Sequence, residues 1–207
     1  MSTLEIFRTR VHRASWAGER GWPALQAELV EAVHGLAAED RAGRAWCREH
    51  GYGGYTSYAS LDDLPRRMSV FDALRRKLDK EAARFADALA FDLGRGRLKL
   101  DSLWVNLLKP GAAHSGHIHP HSVISGTLYL VTPPGAGALR LEDPRLPMMM
   151  AAPPRRADAP PELKTFVELA PEPGDVLLWE SWLRHEVPAN RARSERVSVS
   201  FNYAWTG

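Results

Sequence analysis

Of the eight histidines in this 207-residue chain, four fall in one span, His114-Ser-Gly-His117-Ile-His119-Pro-His121, and a fifth, His185, follows much later. Imidazole is a good ligand for Fe(II) and other divalent ions, and residues two apart on a strand face the same side. His117 and His119 can therefore grip one ion together. His185 is the only histidine downstream to add a third nitrogen from a facing strand. The bland reading is a set of solvated loop histidines, which suits the isolated His12, His34 and His50. Alternating histidines feeding a strand, with another on a later strand, favour a metal site instead. Pro120 interrupts the strand pattern and could turn His121 away.

Such a cluster needs rigid elements behind it, and two regimes of periodicity supply them. From about Trp22 to His50 apolar residues recur at helical spacing, through Leu25, Leu29, Val33, Leu36 and Ala37. A Gly/Tyr/Ser-rich stretch, Gly51 to Tyr58, reads as a loop. A second helical pattern runs from about Ser69 to Leu93, with Ser69 as N-cap and Gly94 and Gly96 closing it. After Gly96 the period becomes two. Leu98–Leu108 reads as a long strand, followed by strands at Val123–Thr132, Ala138–Glu142, Leu163–Leu169, Asp175–Trp179, His185–Val187 and Arg196–Tyr203. Pro and Gly punctuate them, so the pattern points to a barrel or double-sheet jelly roll. The expectation is one α+β domain over residues 1–207 with a mainly β core. Residues 1–97 form a helical and loop support, with the helices packed outside. Residues 98–207 form the core, with a surface insertion around residues 143–162 that reaches over the barrel mouth.

Composition narrows the function classes. A net charge of +2, with scattered arginines, argues against nucleic acid and anionic membranes as partners. A single cysteine, Cys47, excludes an internal disulfide framework and a cysteine-based zinc or iron–sulfur site. Met1 to Ser15 mixes charged with apolar residues, unlike a secretory signal, and no run is long enough to span a bilayer. A cytoplasmic protein is expected, and a homodimer stays open.

Several pieces taken together resemble a known group. They are Trp104-Val-Asn106, Pro110-Gly111, His117-Ile-His119-Pro120, Ser125-Gly126-Thr-Leu-Tyr129, Pro173-Gly174-Asp175-Val-Leu-Leu-Trp179, His185-Glu-Val-Pro188 and Glu195-Arg-Val-Ser-Val-Ser-Phe-Asn202. They are similar to uncharacterised bacterial proteins of the 2-oxoglutarate/Fe(II) dioxygenase superfamily, akin to prolyl 4-hydroxylase domains. The resemblance is close over about Leu98 to Tyr203. It implies a double-stranded β-helix (jelly roll, cupin-like) whose Fe(II) is held by His117 and His185, with His119 where a carboxylate is usual. It also implies 2-oxoglutarate as co-substrate, with hydroxylation of a small molecule or side chain coupled to decarboxylation to succinate. Arg196, eleven residues after His185, matches the position that clamps the distal carboxylate of 2-oxoglutarate.

The chemistry of those positions is consistent with the roles. A guanidinium fork pairs two N–H groups with a carboxylate, and Ser198 lies two residues on, on the same strand face. Tyr129 and Asn106 are expected on strands lining the barrel, either touching the co-substrate or held by structural partners. Gly111 and Gly126 are expected to serve backbone geometry. Three neutral imidazoles leave the metal its full charge, so an extra anionic ligand or a nearby carboxylate becomes relevant. Glu142, Asp143, Glu180 and Glu186 are near in sequence, and Glu186 should face away from His185. Two rival readings remain. One is a three-histidine cupin-type dioxygenase without 2-oxoglutarate. The other is a non-catalytic metal-binding β-barrel, which a fourth ligand from His114 or His121 would favour. No nucleophile elbow and no phosphate-binding P-loop is present.

Overall fold

The computed structural model describes residues 2–207. In chain order its elements are β1 (Val11–Ser15), α1 (Trp22–Glu39), α2 (Arg41–Glu49), β2 (Gly54–Thr56), α3 (Ser69–Ala88), β3 (Arg97–Leu108), β4 (His114–His117), β5 (Ile124–Val131), β6 (Leu139–Glu142), β7 (Phe166–Leu169), β8 (Asp175–Glu180), β9 (His185–Val187) and β10 (Arg196–Thr206). A six-stranded sheet runs β1-β8-β5-β10-β3-β2 and a four-stranded sheet runs β4-β9-β6-β7. Neighbouring strands pair antiparallel in both sheets.

The period of two sorts the large sheet's side chains between two cores. Leu103, Val105 and Leu107 of β3, Leu128 and Leu130 of β5, Val176 and Leu178 of β8 and Val197, Val199 and Phe201 of β10 share one cluster with the helices. From α3 come Val70, Phe71, Leu74, Leu78, Ala82 and Phe85, spaced as one helical stripe, with Leu29 and Val33 from α1. The alternate residues face the small sheet. Tyr129, Leu177 and Trp179 pack there with Leu139, Leu141 and Leu183, while Asn106, Arg196, Ser198 and Ser200 line a cleft between the sheets. β10 thus reads Arg-Val-Ser-Val-Ser-Phe-Asn with its polar set toward the cleft and its apolar set toward the helices.

Several boundaries differ from the sequence reading, each for a local reason. The stretch Trp22–His50 is two helices because Asp40 leaves the helical conformation and caps α2, accepting from the Gly43 amide at 2.9 Å. Tyr55 and Ser60 also donate to that carboxylate. Ser69 is the first helical residue of α3 rather than its cap; Met68 takes that place with no side-chain bond. α3 stops at Ala88, well before Gly94, and Ala90 adopts a positive φ of 55°. The Gly51–Tyr58 stretch contains β2, which pairs with β3, and Val11–Ser15 forms β1 on the opposite edge.

β1 is tied to α3 through Glu81. This buried carboxylate accepts from His12 at 2.9 Å, Trp16 at 3.4 Å and Arg84 at 2.9 Å. Burial alone would raise its pKa, but the three donors outweigh that and hold it below the usual carboxylate range. His12 is therefore a strand residue with a structural partner, while His34 lies 3.3 Å from Glu195.

Residues 144–161 form a largely exposed segment with a single 3-10 turn at Leu146–Met148 and another beginning at Pro161. None of them lines the cleft. Gly111 has a positive φ of 83° and makes a turn that a side chain would strain. Gly126 is required for a different reason: a Cβ there would lie 2.5 Å from the Phe201 ring and 2.7 Å from the Leu177 carbonyl.

Candidate metal site

β4 and β9 bring the histidines together across one strand pair. His117 lies opposite His185, and His114 lies opposite Val187, so the register slips by one residue between them. Positions 114 and 117 would face opposite sides of a regular strand. The extra residue restores the phase, and both imidazoles enter the cleft. His119 lies beyond the end of β4 rather than on the strand, so strict alternation does not place it. Its amide donates to the Ser181 carbonyl at 3.0 Å, which pins the chain after β4 to the turn after β8.

One nitrogen from each of His117, His119 and His185 lies within 4.8 Å of the others. Second contacts fix two of the rings. His117 Nδ1 donates to the Ser115 carbonyl at 2.7 Å, and His185 Nδ1 donates to the Leu183 carbonyl at 2.9 Å. Those bonds leave each Nε2 lone pair free to coordinate, the arrangement found around metal-bound histidines. The His119 ring lies nearly parallel to His185, with centroids 5.2 Å apart and planes 12° off, and against Trp104 at 5.8 Å.

Burial and mutual repulsion push His119 down to about 4 and His185 down to about 3, so both are neutral at physiological pH. His114 is pushed down to about 3, by burial first and then by Arg196. It lines the same cleft, but its Nε2 is hydrogen-bonded to the Tyr52 hydroxyl and it is not among the three imidazoles whose nitrogens converge. His121 is exposed and outside the cleft, as Pro120 suggested.

Arg196 sits in the same cleft and is 2% exposed. No carboxylate pairs with it among the described residues. NH1 donates to Ser198 at 3.3 Å, while Nε has no partner. The guanidinium lies 4.9 Å from the centre of the Tyr129 ring, whose buried hydroxyl is also unpartnered. Burial raises the Tyr129 phenol, which stays a neutral donor. Trp179 Nε1 is unpartnered as well; unsatisfied buried donors are costly, so three of them on residues lining one cleft mark a place built for an acceptor from outside the chain. Asn106 lines the cleft too; its amide accepts from Thr56 at 2.9 Å and donates one N–H to Ser200 at 3.0 Å.

No Asp or Glu lines the cleft. Of the acids near in sequence, Glu186 pairs with Arg140 at 3.0 Å, Glu142 with Arg184 at 3.2 Å and Asp143 with Arg145 at 2.8 Å. Glu186 does face away from the histidines, as alternation along β9 requires. Tyr52 was missed by sequence reading because it sits in a loop with no period to read. Thr127 and Ser200 were missed because small hydroxyls carry no distinctive signal.

Comparison with known proteins agrees with this geometry. A family described as "Putative 2OG-Fe(II) oxygenase" matches residues 102–202, which hold every histidine and arginine just described. No curated protein sequence matches the chain. Among solved structures, a prolyl-4-hydroxylase from Pseudomonas putida is similar at 17% identity and TM-score 0.60, covering 96% of this chain and 94% of that one. The epimerase SnoN, solved with Fe3+, alpha ketoglutarate and nogalamycin RO, is similar at 17% identity and TM-score 0.64, covering 95% and 79%. HygX from Streptomyces hygroscopicus, with nickel and 2-oxoglutarate bound, gives 16% identity and TM-score 0.60, covering 95% and 82%. At such identities the structures speak to the fold, while the family match covers the stretch that builds the cleft. Residues 102–202 thus match the 2OG-Fe(II) oxygenase family, and that match supports reading the chain as a non-haem iron, 2-oxoglutarate-dependent oxygenase.

Proposed function

We propose that the chain hydroxylates an organic substrate, holding Fe(II) on His117, His119 and His185 and 2-oxoglutarate on Arg196, Ser198 and Tyr129. The observation that carries the reading is the pairing in one cleft of three converging imidazoles with a buried guanidinium that meets no acid among the described residues. The donor set fits both groups. Neutral imidazoles suit a divalent first-row ion, and a planar fork backed by a hydroxyl suits a carboxylate. Bound together, the metal and the keto acid supply the oxidising chemistry, with decarboxylation to succinate. The two sheets on this reading are the halves of a double-stranded β-helix, residues 98–207 its core and residues 1–97 its support within one domain.

The remaining work falls to the protein. The Ser115 and Leu183 carbonyls fix the tautomers of His117 and His185, so both present lone pairs rather than N–H groups. Arg196 donates to the distal carboxylate, with Ser198 and Tyr129 adding donors from adjacent strands. Asn106 braces the wall by joining Thr56 to Ser200, and its second N–H is left for the co-substrate. Leu139, Trp179 and Val187 form apolar walls that exclude water and strengthen each charged contact.

The buried arginine favours this reading over a three-histidine dioxygenase that uses no keto acid, because no carboxylate among the described residues pairs with it. The test is a 2-oxoglutarate titration of the anaerobic Fe(II) protein. The expected result is a visible metal-to-keto-acid band that saturates at one equivalent. A protein that takes up iron but shows no band and makes no succinate would refute the co-substrate assignment.

A further inference from the structure

We infer that the substrate of this oxygenase is an organic anion, whose charged group neutralises the positive charge that metal and 2-oxoglutarate leave at the three imidazoles. The inference rests on the function proposed above and adds a substrate class to it. It begins from the cleft's lining, which holds Arg196 and four histidines but no Asp or Glu. A divalent ion and one guanidinium bring three positive charges, and a keto dicarboxylate brings two negative ones. One positive charge remains, where a carboxylate at position 119 would have left none.

The fold provides no internal remedy. Glu186, Glu142 and Asp143 are each held by an arginine away from the cleft, and Glu180, which follows the cleft residue Trp179 on β8, does not line it. An imidazole ligates a metal as a neutral group, so the three ligands neither add to nor offset the excess. A net charge enclosed by Trp179, Leu139 and Val187 is poorly solvated, and a counter-charge from the ligand is strongly favoured there.

The surroundings favour an organic carrier over a bare ion. Trp104 lines the cleft beside His119, and Tyr58 packs edge-on to it at 5.1 Å while remaining 52% exposed. Ile118, between two of the imidazoles in sequence, is also exposed. An apolar body can rest on these side chains while its anionic group enters.

The test uses the full chain, loaded anaerobically with Fe(II) and 2-oxoglutarate in a chloride-poor buffer. Acetate and benzoate are titrated against their neutral isosteres acetamide and benzamide, followed by the visible band and by calorimetry. Each carboxylate should bind at least about tenfold more tightly than its amide, as expected for one added unit charge in a poorly solvated site. Benzoate should bind more tightly than acetate. The variant His119→Asp, which returns one negative charge, should lose the preference for carboxylate over amide while still taking up metal. Amides that bind as well as carboxylates would overturn the inference, and this arm needs no variant. Benzoate no tighter than acetate would overturn the organic carrier. A band that forms normally without any anion preference sinks this inference alone, whereas no band at all, seen before any anion is added, sinks the proposed function with it.

Discussion

Replacing Arg196 by methionine should separate binding from folding in an unusual direction. Arg196 is 2% exposed, has an unpartnered Nε, donates one bond to Ser198 at 3.3 Å and meets no carboxylate. In the ligand-free protein its desolvation is therefore largely uncompensated, and a methionine of similar length removes that cost while filling much of the space. The thermal midpoint of the free protein should stay constant or rise. With 2-oxoglutarate the sign reverses. Deleting one partner of a buried charged pair costs about 2–4 kcal/mol, or about 30- to 1,000-fold in affinity. Calorimetric titration of the Fe(II) protein gives the affinity, and thermal melts with and without 2-oxoglutarate give the stability. Iron uptake should change little, because Arg196 is not one of the three-imidazole group. An equal loss of iron and 2-oxoglutarate affinity, or a ligand-free protein that melts far lower, would refute the role assigned to this side chain.

Alanine at His117, His119 or His185 should each lower Fe(II) affinity by about 100-fold or more, whereas His121→Ala should leave it intact, as read by metal analysis after dialysis. The metal-free protein should lose stability in acid. His185 at about 3 and His119 at about 4 in the fold lie below the ordinary 6.5, so between those values the unfolded chain binds more protons. Their contribution is full above about pH 6.5 and fades as the pH falls toward the folded values, so melting temperature against pH should slope upward through that window. Gly126→Ala should destabilise the protein by about 1–3 kcal/mol, because its methyl would meet Phe201 at 2.5 Å and the Leu177 carbonyl at 2.7 Å. Denaturant unfolding measures this, and Phe201→Leu in the same chain should recover part of the loss.

The regular part of this fold was legible because periodicity reports which face is buried. β3, β5, β8 and β10 lie within a few residues of where the alternation put them, and their two faces separate into the helix-side core and the cleft. The edges were not. β1 and β2 are short and carry little apolar alternation, and each is a strand because a partner in the large sheet offers its free hydrogen bonds. Asp40 ended a helix through bonds to Gly43, Tyr55 and Ser60, two of them contacts that a local window does not contain.

The residue types alone determined much of the chemistry: a cysteine-free cluster of imidazoles, and an arginine and serine two apart on a strand. What the chain order could not supply was the meeting of those groups. His114 and His117 share a side only because β4 carries one extra residue against β9, and His119 reaches the group from beyond the strand, held by Ser181. Whether Arg196 would be solvated, paired or left waiting was likewise decided by the tertiary structure. The reason is that burial and pairing depend on what comes near from distant parts of the chain. The same is true of the nearby acids, three of which pair with arginines away from the cleft, so only the assembled fold shows that none of them lines it.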